Sequence, residues 1–580
     1  MAISQAIFGN DRHAARPMSQ FFDRWTIGAV LLSCCVAAPI VAVFVIATGT
    51  GGEIWAHLFE TVLPRYVQTT LALMIGVGLG TFILGTGTGW LVAAWDFPGR
   101  RIFEWALLLP LAVPGFVIAF VYTDILEYAG PVQGMLRALF GWTSPRDYWF
   151  PEIRSLGGAI AMLSLVLYPY VYLLSRAAFL EQSADVLEAS RTLGRGPVRN
   201  FLTVAIPLAR PAIVIGISLA LMETLNDFGT VDFFAVQTLT LGIFDVWLNQ
   251  NNVAGAAQIA STMLVFVLCL ILAERFSRRQ QRYHGAGRPS RRQIRMVASG
   301  PFAAFVVIVC LIPLSLGFVL PVAVLLSDAV FAADADLVDS FLQPAANSLF
   351  LSGAAALLAV AVGLFLAYAV RLRGSRLLKV LTRITGLGYA VPGAVLAVGV
   401  MIPLAAFDNW VDGYFRQIAG ISTGLLLSGT VFALIFGYVV RFLALSQGAI
   451  ESSLARITPS IDGAARTLGA TPGRVLRDIH LPLIRGSMLS AAILVFVDGM
   501  KELPMTIVMR PFNFDTLATE VHQFAAAEQF AEASPAALAI VLTGILPVII
   551  LVRVMDRDAR KREAAGTRIT GTGLTRTGIK

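Results

Sequence analysis

Apolar stretches close to or above the roughly 20 residues that cross a bilayer recur along the whole chain, separated by short polar segments. The polar breaks predict spans at about 25–47, 67–95, 103–122 and 156–179, a fifth ending near 225, and a sixth at about 253–273. The same order then returns near 302–326, 348–370, 377–404, 424–445, 487–499 and 536–554. The pattern therefore predicts an all-α polytopic membrane protein of about 12 transmembrane helices. Arg-rich sequence between 274 and 295, with Gly285, Gly287 and Pro289, cannot be absorbed by a span and reads as a linker. It divides the chain into halves 1–287 and 288–580, and a basic tail begins at about 556. Within the second run Gly76, Gly80, Gly85 and Gly89 recur about every four residues, a spacing that suits close helix packing in lipid better than a phosphate loop.

Composition agrees with the pattern. Of 580 residues 57% are hydrophobic and only 14% charged, too few for a water-facing surface. The net charge of +8 comes mainly from arginines in the loops. Arg-bearing segments at 12–24, 96–101, 176–210, 275–295, 371–383, 441–485 and 553–562 alternate with acidic ones around Glu53 and Glu60, 328–339 and 515–532. By the positive-inside rule this places both termini and the basic loops in the cytoplasm of a bacterial inner membrane protein, and it argues against nucleic-acid binding. Cys34, Cys35, Cys269 and Cys310 lie in apolar runs and form no disulfide framework. The five histidines show no pair at ligand spacing, so no bound metal is expected.

Two of the polar islands match each other. Glu188-Ala-Ser-Arg-Thr-Leu-Gly194 runs on to Pro207, and Gly463-Ala-Ala-Arg-Thr-Leu-Gly469 runs on to Pro482, 275 residues later at both the glycine and the proline. Each reads as helix, tight turn, helix, with the glycine in a left-handed conformation and Pro197 or Pro472 in the first turn of the next helix. Pro114-Gly115 likewise matches Pro392-Gly393. Halves with an even number of spans form a parallel repeat about an axis along the membrane normal, with a path at their interface.

These loops, at 180–207 and 446–482, resemble the EAA…G…P signature loop of permeases in binding-protein-dependent ABC importers. The resemblance implies a type I importer permease fold in which the loops dock two ATP-binding cassette subunits on the cytoplasmic side, while a periplasmic or extracellular substrate-binding protein delivers cargo. It carries docking roles to Glu188, Ala189, Gly194 and Pro207, and to Ala464, Ala465, Gly469 and Pro482. The second copy departs from the motif at Gly463, where the glutamate would stand; Asp462 just before it joins the docking set, and whether it takes over the glutamate's contact is left open by the sequence. No Gly-x-x-x-x-Gly-Lys-Ser/Thr string occurs, so the chain is not itself an enzyme and binds no cofactor; ATP is used by the partner subunit.

The strings that follow each loop, beginning at Glu223-Thr-Leu-Asn-Asp227 and Lys501-Glu-Leu-Pro504, are similar to those of fused ferric iron permeases. Phosphonate, thiamine and polyamine permeases share parts of them. In the repeat register Glu223 aligns with Asp498 and Asp227 with Glu502, each pair at i and i+4, on one face of a helix that persists. Together with Lys501 these acids are the candidate substrate path, because a carboxylate within the bilayer normally faces a cavity or a partner. Two other readings stay open: acids at the outer membrane edge, or a Lys501 that neutralises Asp498 or Glu502. A secondary transporter would also show repeated halves, but has no use for matched glycine-proline loops.

Overall fold

The computed structural model describes residues 24–48, 60–182, 189–190, 192–194, 196–279, 295–331 and 335–549. Glu188, most of the linker, the N-terminal segment and the tail lie outside the described residues. Within them 12 helices are long and apolar enough to cross a membrane. The first six are Arg24–Ala47, Leu63–Ala94, Gly115–Phe140, Leu156–Glu181, Pro197–Asn226 and Val253–Ala273. The last six are Gly300–Val330, Phe341–Arg373, Gly393–Ala419, Val431–Ala455, Pro472–Met500 and Phe530–Ile549.

The third and ninth spans start later than the apolar pattern predicts. Residues 100–112 form the short helix Arg100–Ala106 and the 3-10 turn Leu109–Ala112. Residues 376–390 repeat that order as the helix Arg376–Thr385 and the turn Gly388–Ala390. The spans begin only after Pro114 and Pro392, each in an extended cap conformation. Proline has no N–H to donate and disfavours helical geometry in its predecessor, and here Val113 and Val391 take extended backbone, which separates each turn from the span that follows. Elsewhere the helices outlast their apolar runs: the tenth continues to Ala455 and the eleventh resumes at Pro472, so the connection is shorter than 446–482.

The second, fourth and fifth spans pack together, and the eighth, tenth and eleventh form the matching group. Added Cβ atoms at Gly76, Gly80, Gly85 and Gly89 would collide with Ile160, Ser164, Tyr168 and Ser175 of the fourth span. The glycine stripe is thus the close-packing face of the second span, where small residues let helix backbones approach in lipid. The first and seventh spans cross over. The first lies on the ninth, with Trp25 stacked on Phe365 of the eighth at 5.1 Å. The seventh lies against the second and fourth, and its Leu316 carbonyl accepts the Tyr122 hydroxyl of the third at 2.8 Å.

Each fifth-position span also carries a π-helical turn at the same register, Phe201–Ala205 and Leu476–His480. Pro207 and Pro482 follow two residues later. The wider turn lies where those prolines, lacking an N–H, leave a carbonyl of the preceding turn without its usual helical donor.

Candidate functional site

The two groups of six spans meet around a cavity of about 80 Å³, room for several waters. All five candidate path residues, Glu223, Asp227, Asp498, Lys501 and Glu502, line it. The helices do not persist through both acids of each pair, however. The fifth span ends at Asn226 and the eleventh at Met500, and each is followed by a short helix, Gly229–Phe233 or Pro504–Met509.

Asp227 and Glu502 serve those short helices. The Thr230 N–H and hydroxyl each donate to the Asp227 carboxylate at 3.0 Å, and the Met505 N–H donates to Glu502 Oε1 at 3.1 Å. Each carboxylate thus satisfies backbone donors that a helix start leaves unpaired. The first turns of the third and ninth spans press on the same groups. A Cβ at Gly115 would stand 2.6 Å from Asp227 Oδ2, and one at Gly393 would stand 2.6 Å from Glu502 Oε1. That is why the Pro-Gly pair recurs: proline stops the preceding turn and glycine lets a positive helix end approach an acid.

Two cations complete the cavity. Lys501 Nζ lies 3.2 Å from Asp498 Oδ1. Arg441 Nη1 lies 3.1 Å from Glu502 Oε1, in a pair only 5% and 3% exposed. The sequence grouped Arg441 with the cytoplasmic loop, whereas it sits inside the tenth span. A lone arginine on an apolar helix was the available signal, since such a charge in a span is costly unless paired. Tyr170, Tyr389 and Asn226 were also missed; the Asn226 amide oxygen accepts the Gly393 N–H at 2.9 Å and so ties the two groups of spans together. Among the described residues no three His, Cys, Asp or Glu side chains form a group that could hold a metal ion.

The loops form a second candidate site. Gly194 and Gly469 have φ of +77° and +79°, the left-handed turn that their spacing predicts. Pro197 and Pro472 open the following helices, while Pro207 and Pro482 lie farther along the spans. In the second copy Ala464 is exposed and Ala465 buried, and in the first Ala189 is exposed. Asp462 does not point outward as a substitute for the missing glutamate. Its carboxylate accepts from Arg371 Nε at 2.9 Å and lies 2.8 Å from His480 Nε2, while Arg371 also donates to the Leu454 and Ile457 carbonyls. Burial raises the Asp462 pKa, but the bonds from Arg371 and His480 outweigh it and hold the carboxyl below its ordinary value. The exposed feature beside each turn is a leucine, Leu193 at 78% and Leu468 at 87%.

A family described as the binding-protein-dependent transport system inner membrane component matches residues 85–282 and again residues 359–561. The chain belongs to this family. The permease is 27% identical over 533 residues to the Fe(3+)-transport system permease protein FbpB 2 of Haemophilus influenzae, across 91% of the permease and 97% of that relative. It is 24% identical over 523 residues to the ferric transport system permease protein FbpB of Actinobacillus pleuropneumoniae, across 82% and 71% of the two chains. It is also 30% identical over 231 residues to the putative 2-aminoethylphosphonate transport system permease protein PhnU of Salmonella typhimurium, across 38% of the permease and 79% of the relative. With its 12 candidate spans and its double match, the permease is a fused, multi-pass type I ABC importer permease.

Proposed function

We propose that the permease imports ferric iron across the cytoplasmic membrane, with both termini in the cytoplasm. Cargo arrives from a binding protein at the face opposite the loops, and one ATP-binding cassette subunit docks on each loop. The observation that carries the cargo is the likeness to a permease named for Fe(3+) transport, which spans 91% of this chain and 97% of that one. The cavity chemistry supports a cation. Four carboxylates face two basic side chains, and both basic groups are already engaged by acids. Hard oxygen donors suit a ferric ion.

A phosphonate cargo is the second reading, favoured by 30% identity to the phosphonate relative over 231 residues. A phosphonate would need free cationic donors, and Arg441 and Lys501 are held by Glu502 and Asp498. Docking at the loops is supported by the exposed Leu193 and Leu468, apolar knobs beside rigid turns.

Uptake in cells lacking the gene tests the cargo. Iron uptake under iron limitation is expected to fall and to return with the gene. Unchanged iron uptake, with loss of phosphonate, thiamine or polyamine uptake, overturns the iron reading.

A further inference from the structure

We propose that Glu223, together with the Tyr170 and Tyr389 hydroxyls, forms the neck of the path, an all-oxygen site that holds the cargo as a small cation freed from any bulky carrier. The proposal rests on the ferric reading and names where that cargo is held.

Beside the main cavity lies a smaller one of about 10 Å³, lined by Tyr170, Leu219, Met222, Glu223, Asn226, Tyr389, Ala390 and Pro392. Four of these residues, Tyr170, Glu223, Asn226 and Tyr389, also line the main cavity, so they form the partition between the two. Met222 and Leu219 stand about one and two turns nearer the loops along the fifth span than Asn226, which puts the small cavity on the loop side. A cargo moving from the far face toward the loops therefore meets the large cavity, then the neck, then a space for about one water.

The neck draws on both groups of spans. Tyr170 comes from the fourth span, Glu223 from the fifth and Tyr389 from the turn before the ninth. Both tyrosines line the two cavities together with Glu223. Asn226 braces the site through the Gly393 N–H, so a relative movement of the two groups must alter the neck.

Charge singles out Glu223. Asp498 is paired with Lys501, Glu502 with Arg441, and Asp227 with Thr230. Among the described residues the Glu223 carboxylate makes no salt bridge or hydrogen bond. A carboxylate at this depth needs a partner or a cavity, and Glu223 has the cavity. One carboxylate with two hydroxyls offers hard oxygen atoms, which suit a compact, highly charged cation, and the narrow space beyond excludes a bulky chelate.

The test uses the full chain in cells lacking the gene, with radioactive iron supplied as ferric citrate and gallium(III) as the competitor. Glu223→Gln is expected to lower uptake by about tenfold or more, the loss typical of a missing charge-assisted contact. Glu223→Asp should recover part of it, Tyr170→Phe and Tyr389→Phe should each lower uptake, and gallium(III) should compete in the wild type. Membrane insertion and the amount of co-purifying ATPase should not change. If Glu223→Gln fails to insert, Tyr389→Phe decides by the same criterion. Wild-type iron uptake that is matched by the variants overturns the neck and leaves the iron reading intact. A wild type that moves no iron overturns the cargo reading, and the neck falls with it.

Discussion

Asp462 shows how far a single residue can be read from sequence. Its position next to Gly463 suggested a carboxylate offered to a partner, but Arg371, 91 residues earlier, and His480, 18 residues later, turn it inward. Nothing local encodes that contact, because Arg371 closes the eighth span and meets the loop only when the spans pack. The turn glycines were legible for the opposite reason: a left-handed φ between two short helices is a local requirement that glycine meets. The inward bonds yield a prediction. Asp462→Asn should weaken the anchoring of residues 456–471 by about 1–3 kcal/mol, seen as faster hydrogen exchange there while the spans are unchanged. The pKa of Asp462 is depressed in the fold, so its contribution is complete above the ordinary carboxylate value near 4 and is lost as pH falls through the lower folded value. Wild-type exchange of this segment, corrected for intrinsic rates, should therefore hold steady from pH 7 to about 5; loosening that begins near pH 6 would rule out Asp462 as the anchor.

Among the elements, periodicity found every span but could not decide what proline does within an apolar run. Residues 103–122 are apolar enough for a span, yet Pro110 and Pro114 divide them between a turn and a helix start. The short helices after the fifth and eleventh spans were invisible because each is a break in an otherwise continuous pattern, held by Asp227 or Glu502. On the face away from the loops, elements from both groups of spans interlock. Asp232 Oδ2 lies 3.0 Å from His522 Nε2, and Arg154 bridges Glu127 at 2.5 Å and Glu528 at 2.9 Å. Phe120 stacks on Phe530 at 6.2 Å, and Arg154 lies over Phe233. These contacts join the two groups of spans on that face, and the proposed cargo route requires them to part. The double variant Asp232→Asn, Arg154→Ala weakens the Asp232–His522 contact and removes the Arg154 ion pairs while sparing the aromatic stack. Partly exposed pairs contribute about 0.2–1 kcal/mol each, enough to raise a minor open population several-fold. ATP hydrolysis by the assembled importer without binding protein should rise by that factor; an unchanged basal rate would show that the apolar contacts alone hold the far side closed.

For the molecule as a whole, the repeat was the most legible feature, since 275-residue spacing recurs in the loop glycines, the prolines and the π-helical turns. The crossing of the first and seventh spans was not, because a lipid-facing helix is apolar all round and its pattern does not name its neighbour. That crossing bears on assembly. Each group of six is clasped by a span from the other, with Trp25 against Phe365 and Tyr122 bonded to Leu316. The central cavity is walled by both groups, as Gly393 bonded to Asn226 shows. The surface that a half-sized permease would use for a second subunit is therefore already occupied within this chain. Both loop copies are present too, each with a left-handed glycine and an exposed leucine. One permease chain should therefore assemble with two ATPase subunits and show no tendency to dimerise. Mass measurement of the detergent-solubilised complex checks this directly: one permease with two ATPases is the expected composition. Leu193→Asp and Leu468→Asp should each reduce ATPase retention, and together abolish it, because a charge in place of an apolar anchor must be desolvated on docking. Two permease chains per complex would remove the internal pairing as the organising contact, and a complex that keeps both ATPases in the double variant would move docking away from the two turns.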